Sequence, residues 1–295
     1  MVLTGLYRTL ALIGAMLAGV LVPQAHVAAP LIRWLVIGML FIVFLQVKLS
    51  RSALHRSHGW LLTANVAMAF VGWAIGAAVG GPEVALAGFF TGLAPTAIAA
   101  PVIISFLRGR VEYVVASFVL GNLAIAALSP VILPPVLGRI SPADFGSVLG
   151  TVCIIVFAPM GAALLLRRVH PPAAGWPARL RTLSFSMWVV TLFLVSANAS
   201  HFIRLQSVPP TLLLLIAATS LAVCILNFAL GHRIGGPHFA REASQSLGQK
   251  NTTFTIYLAL LYATPVVALG PTCYVVWHNL WNSWQLHRAG RQARS

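Results

Sequence analysis

The sequence predicts an all-α, polytopic membrane protein with about 10 transmembrane helices. Hydrophobic residues make up 59% of the chain and charged residues only 8%, whereas an ordinary soluble domain has about 25% charged residues. Apolar segments of membrane-spanning length follow one another along the chain, and the basic residues cluster in alternate loops between them. Residues 1–295 are therefore interpreted as a single integral membrane domain.

A spanning helix needs about 20 mostly apolar residues, and the sequence offers ten such segments: 9–29, 31–48, 60–80, 84–107, 111–133, 143–166, 183–203, 209–230, 236–262 and 264–286. The first segment also resembles a cleavable secretory signal, because a basic residue precedes an apolar run that ends in small residues. Cleavage would leave nine spans and an unpaired half. We predict that the segment is retained, since the chain then divides into two halves of five spans, at about 1–138 and 143–290.

The basic residues orient the predicted helices, because cytoplasmic loops of membrane proteins are rich in Lys and Arg. With both termini in the cytoplasm, fifteen basic residues fall inside and three outside, and Lys250 is left over in the interior of the membrane. The outer residues are Arg33, Arg139 and Arg204; the fifteen inner ones are Arg8, Lys48, Arg51, Arg56, Arg108, Arg110, Arg167, Arg168, Arg179, Arg181, Arg233, Arg241, Arg288, Arg291 and Arg294. This segregation explains the net charge of +15 as a topology signal. Nucleic-acid binding is not predicted, since the basic residues form no continuous patch.

Two predicted spans are interrupted at corresponding places in the two halves. The fourth span contains "GLAPTAIAAP" at 92–101, and the ninth contains "SLGQKNTT" at 246–253. Each interruption alone would indicate only a kink, which membrane helices tolerate. Five spans per half give the halves opposite orientations, as in the inverted repeats of many secondary transporters, whose broken helices hold substrates or ions near the midplane. The matched positions therefore favour two inverted repeats with broken helices 4 and 9.

The same segments resemble a known family. "SLGQKNTT" is similar to the Glu-Val-Gly-Met-Gln-Asn stretch, and "VVWHNLWNS" to the Val-Trp-His-Asn motif, of the bile acid:sodium symporters of the BART superfamily. "GLAPTAIAAP" stands where that family has Pro-Gly-Gly followed by a Ser-Asn pair. The resemblance covers the whole ten-span layout, but its specific motifs cover only a small part of the chain. It implies a core of spans 3–5 and 8–10, in which spans 4 and 9 cross, and a panel of spans 1, 2, 6 and 7, with substrate between them.

The chain departs from this family at the positions that bind sodium. Ser246 stands in place of the family's sodium-binding Glu, Lys250 replaces its Gln, and Ala100 and Pro101 replace its Ser-Asn pair. Hard cations prefer several oxygen ligands, usually with a carboxylate. The only acidic residues lie near span ends and are Glu83, Glu112, Asp144 and Glu242. We therefore expect neither a sodium site nor any other metal site.

Lys250 lies about 21 Å along its span if the helix is continuous. Its side chain cannot easily reach the inner surface from there, and a cation at the midplane costs about 3 kcal/mol. Our hypothesis is that its ammonium takes the place of a sodium ion, beside Gln249, and donates to Ser246, to backbone carbonyls at the break, and to Asn65 or Asn227. The alternative is a lysine that faces an aqueous crevice and has no coupling role. Proton coupling through Lys250 and uncoupled transport both stay open.

Six further residues are predicted to bind the substrate. Thr96, Ala97, Asn251 and Thr252 follow the two breaks, where the amino ends of half-helices suit an anion. His278 and Asn279 match the family's His-Asn pair, although a lone His in a span more often serves packing.

The favoured function is a secondary active transporter of a small organic anion, working by alternating access in the bacterial inner membrane. A sodium-independent facilitator or channel is the alternative. An intramembrane enzyme or sensor is a third class, but the spans lack a nucleophile or acid pair. The sequence contains no phosphate-binding glycine loop, HExxH or GxSxG motif, so we predict no enzymatic activity and no cofactor. The lipid bilayer and the anion are the expected partners, without an obligate protein partner.

Overall fold

A computed structural model describes residues 2–46, 53–138 and 141–292. Helices make up 88% of the structure, and its described residues contain no strand. The first half contains α1 (Val2–Leu21), α2 (Leu31–Gln46), α3 (Ser57–Gly80), α4 (Pro82–Leu93), α5 (Ala99–Phe106) and α6 (Val111–Val136), with a short 3-10 helix at Pro23–Ala28.

The second half begins with α7 (Pro142–Val152), which continues through a π-helical turn at Cys153–Phe157 into α8 (Ala158–Val169). A 3-10 helix (Pro171–Gly175) and α9 (Trp176–Arg179) follow, and then the long helices α10 (Arg181–Gln206) and α11 (Pro210–Gly248). The last two helices are α12 (Thr252–Tyr262) and α13 (Leu269–Gln292).

The helices are suited to a membrane. Five helical segments are long and apolar enough to cross one: Ser57–Gly80, Val111–Val136, Pro142–Val169 (α7 and α8 together), Thr182–Gln206 and Pro210–Gly248. Shorter apolar helices occupy Leu10–Leu21, Leu31–Leu45, Pro82–Leu93 and Thr252–Tyr262. The predicted all-α membrane fold agrees with this architecture, while the number of ten spans and the inverted repeats stay predictions.

Two helical hairpins are closed by the same tripeptide, Gly-Gly-Pro. The first turn, at Gly81, joins α3 to α4, and a Cβ at Gly72 would lie 2.4 Å from the carbonyl oxygen of Gly88. The second turn, at Gly236, lies within α11, where a Cβ at Gly231 would lie 2.5 Å from the carbonyl oxygen of Ala243. Residues 12 apart in a straight helix would be about 18 Å apart, so α11 folds back on itself. Both turn glycines have positive φ, 80° and 57°, which residues with a Cβ rarely adopt.

The helices form two packed groups. In one group, α1 packs on α10, and α2 packs on α8 and α10. In the other group, α11 packs on α3, α4, α6 and α13, and α5 packs on α6. The groups meet where α1 contacts α13 and where α12 contacts α2, and α6 packs on α7. The hydroxyl of Tyr262 in α12 also donates to the carbonyl oxygen of Ser147 in α7, at 3.0 Å.

Candidate functional site at the crossing of two helix breaks

The two predicted breaks lie against each other in the structure. The chain leaves helical geometry between α4 and α5, and again between α11 and α12. Thr96 and Lys250 form an antiparallel backbone bridge there. The amide of Ala97 donates to the carbonyl of Gln249 at 2.8 Å, and the amide of Asn251 donates to the carbonyl of Pro95 at 2.6 Å. Each break therefore satisfies backbone groups that the other has lost from its helix.

Lys250 is buried, with 1% of its surface exposed. Its Nζ donates to Oδ1 of Asn65 in α3 and to the carbonyl oxygen of Gly92 in α4, at 3.0 Å. The Gly92 carbonyl belongs to the last turn of α4, where helical carbonyls lack partners and carry partial negative charge. Neutral oxygens therefore hold the ammonium, and none of the four acidic residues hydrogen-bonds to it.

Thr96 makes the corresponding contact in the opposite direction. Its Oγ1 donates to the carbonyl oxygen of Ser246, in the last turn of α11, at 2.6 Å. Gly92 is four residues before Thr96, and Ser246 is four residues before Lys250. Thr96 thus donates to the carbonyl four residues before Lys250, and Lys250 donates to the carbonyl four residues before Thr96. The two broken helices therefore cap each other's carboxyl ends.

Other amides complete the capping. Nδ2 of Asn65 donates to the carbonyl of Leu93 at 3.1 Å, so this residue contacts both the end of α4 and Lys250. Nδ2 of Asn122 in α6 donates to the carbonyl of Thr96 at 2.9 Å. Its Oδ1 accepts from Nδ2 of Asn251 at 3.3 Å. Asparagines from α3 and α6 therefore support the crossing from both sides.

Helix α13 contacts the crossing through Tyr274 and Asn282. The hydroxyl of Tyr274 donates to the carbonyl of Gly248, the last residue of α11, at 2.8 Å. Nδ2 of Asn282 donates to Oε1 of Gln249 at 2.5 Å, and its Oδ1 accepts from Nε2 of Gln245 at 3.0 Å. These contacts hold the second break against α13.

The predicted partners of Lys250 are correct in part. Asn65 and a backbone carbonyl at a break do accept from the ammonium. Of the two asparagines predicted as alternatives, Asn65 and not Asn227 accepts from it. The predicted contact with the Ser246 side chain is wrong, because Oγ of Ser246 has no hydrogen-bond partner. The Lys250 side chain reaches instead to the end of α4, because the antiparallel pairing places that helix end beside it.

Some of the backbone amides that were predicted to bind an anion already have hydrogen-bond partners in the protein. The amides of Ala97 and Asn251 pair across the crossing, so in this conformation neither is free to bind an anion. Thr252 begins α12 and is buried. The hydroxyl of Thr96 already donates to the carbonyl of Ser246. The breaks bind each other rather than presenting all their amides to one site.

His278 and Asn279 make no hydrogen bond with the crossing. Both ring nitrogens of His278 are buried without a hydrogen-bond partner, and the ring packs edge-on against Tyr274. Nδ2 of Asn279 donates to the carbonyl of Val275 within its own helix, at 2.7 Å. Asn122 and Tyr274, which do contact the crossing, were not selected from the sequence. The signal for Asn122 is that it is the one amide side chain in a mostly apolar span.

Within the described residues no three His, Cys, Asp or Glu side chains come together as metal ligands. The neutral oxygens at the crossing already hold a cation, the Lys250 ammonium. No protein-family model matches the sequence, and no curated protein is significantly similar to it.

Proposed function

We propose that this protein is a secondary transporter of a small organic anion, and that the Lys250 ammonium takes the place of a coupling sodium ion. One observation carries the proposal. A fully buried ammonium, held only by neutral oxygens, joins two broken helices at their crossing. Because a buried charge is costly without an ionic partner, its retention favours a functional role.

The geometry of the crossing supports two inverted repeats. Thr96 and Lys250 occupy corresponding positions, and their side chains make corresponding contacts with the carbonyls of Ser246 and Gly92. The hairpins that precede the breaks turn at Gly81 and Gly236, both with positive φ. Broken helices that cross in corresponding positions of two repeats are typical of transporters with a midplane binding site.

The two packed groups of helices support alternating access. We identify α3–α6 with α11–α13 as the core, and α1, α2, α7–α8 and α10 as the panel. The hydroxyl of Tyr262 bridges these groups through Ser147, at 3.0 Å, and through Oγ1 of Thr151, at 2.6 Å. A few polar contacts of this kind can break and re-form as one group moves against the other.

The charge at the crossing favours an anionic substrate. Lys250 has no acidic partner, and in a low-dielectric region its field extends further than in water. The resemblance to bile acid:sodium symporters points to the same substrate class. We place the protein in the bacterial inner membrane with both termini in the cytoplasm, as the distribution of basic residues indicates, and assign it no enzymatic activity.

Uptake into proteoliposomes tests this function. Purified protein is reconstituted, and uptake of labelled benzoate, glutarate and benzenesulfonate is measured without a gradient, with a sodium gradient and with a pH gradient. We expect wild type to transport at least one class of anion without sodium. Uptake that never exceeds the level expected from the anion gradient alone would identify a facilitator instead.

Lys250→Gln is the matching variant, because it removes the charge but keeps an amide that can donate to Asn65. We expect it to lose transport or to become sodium-dependent. Lys250→Arg is the control, since it keeps the charge. Wild-type transport that requires sodium, together with an unchanged requirement in Lys250→Gln, would overturn the role assigned to Lys250.

A further inference from the structure

An arginine lies where the panel meets the core, at the end of the molecule that the predicted topology places outside. Arg33 belongs to the first turn of α2, and α2 packs on α12 of the core. The side chain is partly exposed, but its Nε is buried and has no hydrogen-bond partner. A guanidinium has five N–H donors and stays charged in proteins, and a buried polar group without a partner is costly. Arg33 therefore keeps a buried donor for a group that the described residues do not supply.

Two tyrosines of α12 lie near this arginine. The charge of Arg33 acts on the hydroxyl of Tyr257, and the hydroxyl of Tyr262 interacts electrostatically with the same group. Tyr257 is partly exposed and makes no hydrogen bond within the described residues. A phenolic hydroxyl can donate a hydrogen bond. Arg33 and Tyr257 thus bring a positive charge and unused donors to one place, which is the combination that binds a carboxylate or a similar oxyanion.

The charge of Arg33 also lacks compensation from its surroundings. Asp144, the acidic residue in the first turn of α7, accepts from the hydroxyl of Ser141 at 2.5 Å. No carboxylate of the described residues hydrogen-bonds to Nε of Arg33. The first turn of a helix, where Arg33 lies, is a position at which the helix dipole disfavours a cation and favours an anion. An anion bound to Arg33 would therefore be stabilised by the guanidinium and by the helix dipole together.

The other described arginine on the predicted outer side has a structural explanation. Arg204 is exposed, and its Nη2 donates to the carbonyl oxygen of Val20 at 3.3 Å. Val20 lies in the last turn of α1, where carbonyls lack partners within the helix and a cation is favourable. Arg204 therefore caps a helix end inside the panel, and it serves as a matched control for Arg33.

The alternative role for Arg33 is that of an anchor at the membrane surface. Its guanidinium carbon lies 5.6 Å from the centroid of the Trp34 ring, and Trp34 is 65% exposed. Tryptophan is common at membrane interfaces, and an anchoring arginine keeps its charged head in water while its stem packs on apolar groups. Nε of Arg33 is buried instead. The burial of this charged group beside α12 favours a binding role.

This pair of side chains lies between the predicted outer surface and the crossing. Tyr257 is five residues beyond Thr252, where α12 begins, which corresponds to about 8 Å along the helix. In this conformation the hydroxyl of Tyr262 closes the nearby contact between panel and core, because it donates to the carbonyl of Ser147 at 3.0 Å and lies 2.6 Å from Oγ1 of Thr151. An anion that enters from outside between panel and core would meet Arg33 before it reaches the crossing.

We propose that Arg33 and Tyr257 form an outer anion-binding site, which binds the carboxylate or sulfonate group of the substrate before the substrate reaches the crossing. This site rests on the proposed function, because it takes the same class of substrate. Nε and one Nη of Arg33 donate to two oxygens of the anion, the bidentate arrangement that a planar guanidinium favours. The hydroxyl of Tyr257, from the opposite group of helices, donates to the same anion. Separation of panel and core at Tyr262 widens the site.

The first experiment measures anion binding at Arg33 without requiring transport. Wild-type protein in detergent is treated with phenylglyoxal, an arginine reagent, and the modification rates of Arg33 and Arg204 are followed by mass spectrometry in the same sample. Increasing concentrations of benzoate, glutarate or benzenesulfonate are compared with sodium chloride at equal ionic strength. We expect at least one organic anion to slow the modification of Arg33 about fivefold once its concentration is about four times its Kd, with no effect on Arg204. Equal effects on both arginines, or none on Arg33, would overturn the outer site.

The second experiment measures the role of the site in transport. Uptake into right-side-out vesicles and into inverted vesicles is compared for wild type, Arg33→Gln, Arg33→Lys and Arg204→Gln. We expect Arg33→Gln to raise the KM for uptake from the outer side about tenfold, since a charge-assisted bidentate contact is lost, and to leave the KM from the cytoplasmic side unchanged. Arg33→Lys should lie between wild type and Arg33→Gln, because it keeps the charge without the planar fork.

Arg204→Gln removes a charge from the same side of the protein and should leave both KM values unchanged. An unchanged outer KM in Arg33→Gln, or an equal rise in Arg204→Gln, would overturn the outer site. Wild type that transports none of the anions would instead contradict the proposed function, and the phenylglyoxal rates alone would then decide whether Arg33 binds an anion.

Discussion

Thr96 and Lys250 pair backbone to backbone where two broken helices cross. Thr96 donates to the carbonyl of Ser246, and Lys250 donates to the carbonyl of Gly92. Both acceptors lie in the last turn of a helix, where carbonyls have no partner within the helix. The crossing is therefore held by side chains that supply the missing hydrogen bonds of two helix ends, and one of those side chains carries a positive charge.

Replacing Asn65 with leucine is expected to destabilise the protein strongly. The change removes the acceptor of a buried ammonium and the donor to Leu93, at a cost of about 3 kcal/mol, since hydrogen bonds to charged groups are the stronger ones. Asn227→Leu is the matched control, because Asn227 is also buried but bonds only to the neutral hydroxyl of Tyr274, at 3.3 Å. The midpoint of thermal unfolding in detergent should fall much further for Asn65→Leu. Equal losses would show that the ammonium gains little from Asn65.

Thr96→Val tests the contact that mirrors the lysine. Valine has the same shape but leaves the carbonyl of Ser246 without its donor, so we expect a loss of about 1–2 kcal/mol in unfolding free energy. Thr91→Val serves as the control, because the Thr91 hydroxyl donates to Ala87 within its own helix, at 2.6 Å. The unfolding free energy of both variants is measured in detergent with increasing concentrations of denaturant. A Thr96→Val protein as stable as wild type would mean that the Ser246 carbonyl finds another donor.

Gly88→Ala tests the close approach of α3 and α4, which positions Gly92 and Asn65. A Cβ at Gly88 would lie 2.1 Å from the carbonyl oxygen of Gly72, so the helices must separate, at a cost of about 3 kcal/mol. Gly150→Ala in α7 is the control, since nothing lies within 4 Å of a Cβ there, and we expect a gain in stability of about 0.5–1 kcal/mol from helix propensity. The midpoint of thermal unfolding is compared for the two variants. Comparable stabilities would contradict the described packing of α3 on α4.

The positions of both breaks were predictable, because Gly, Pro and polar residues interrupt apolar segments whose length is otherwise that of a membrane helix. The burial of Lys250 was also predictable, since the apolar segment around it is too long for its side chain to reach an inner surface. Its partner Asn65 was predicted as one of two alternatives. What periodicity and hydropathy could not show was which helix end faces the lysine.

The hairpins were harder to locate from the sequence. The tripeptide Gly-Gly-Pro occurs at 80–82 and again at 235–237, and in the structure it closes both hairpins. A search for repeated turn motifs would have found this signal, whereas hydropathy alone placed a span boundary between 230 and 236. The pairing of the Ala97 and Asn251 amides was not accessible, because it depends on tertiary contact between segments far apart in the chain.

The role of Lys250 is tested most directly by the effect of sodium on stability. Lys250→Ala leaves Oδ1 of Asn65 and the carbonyl of Gly92 without a donor, in a space that a small cation and water can fill. Thermal unfolding in detergent is measured for wild type and Lys250→Ala in sodium chloride and, as the control for ionic strength, in choline chloride. We expect wild type to unfold at the same temperature in both salts and Lys250→Ala to be stabilised by sodium alone. A wild type stabilised by sodium, with a Lys250→Ala variant that shows no sodium effect, would contradict the account.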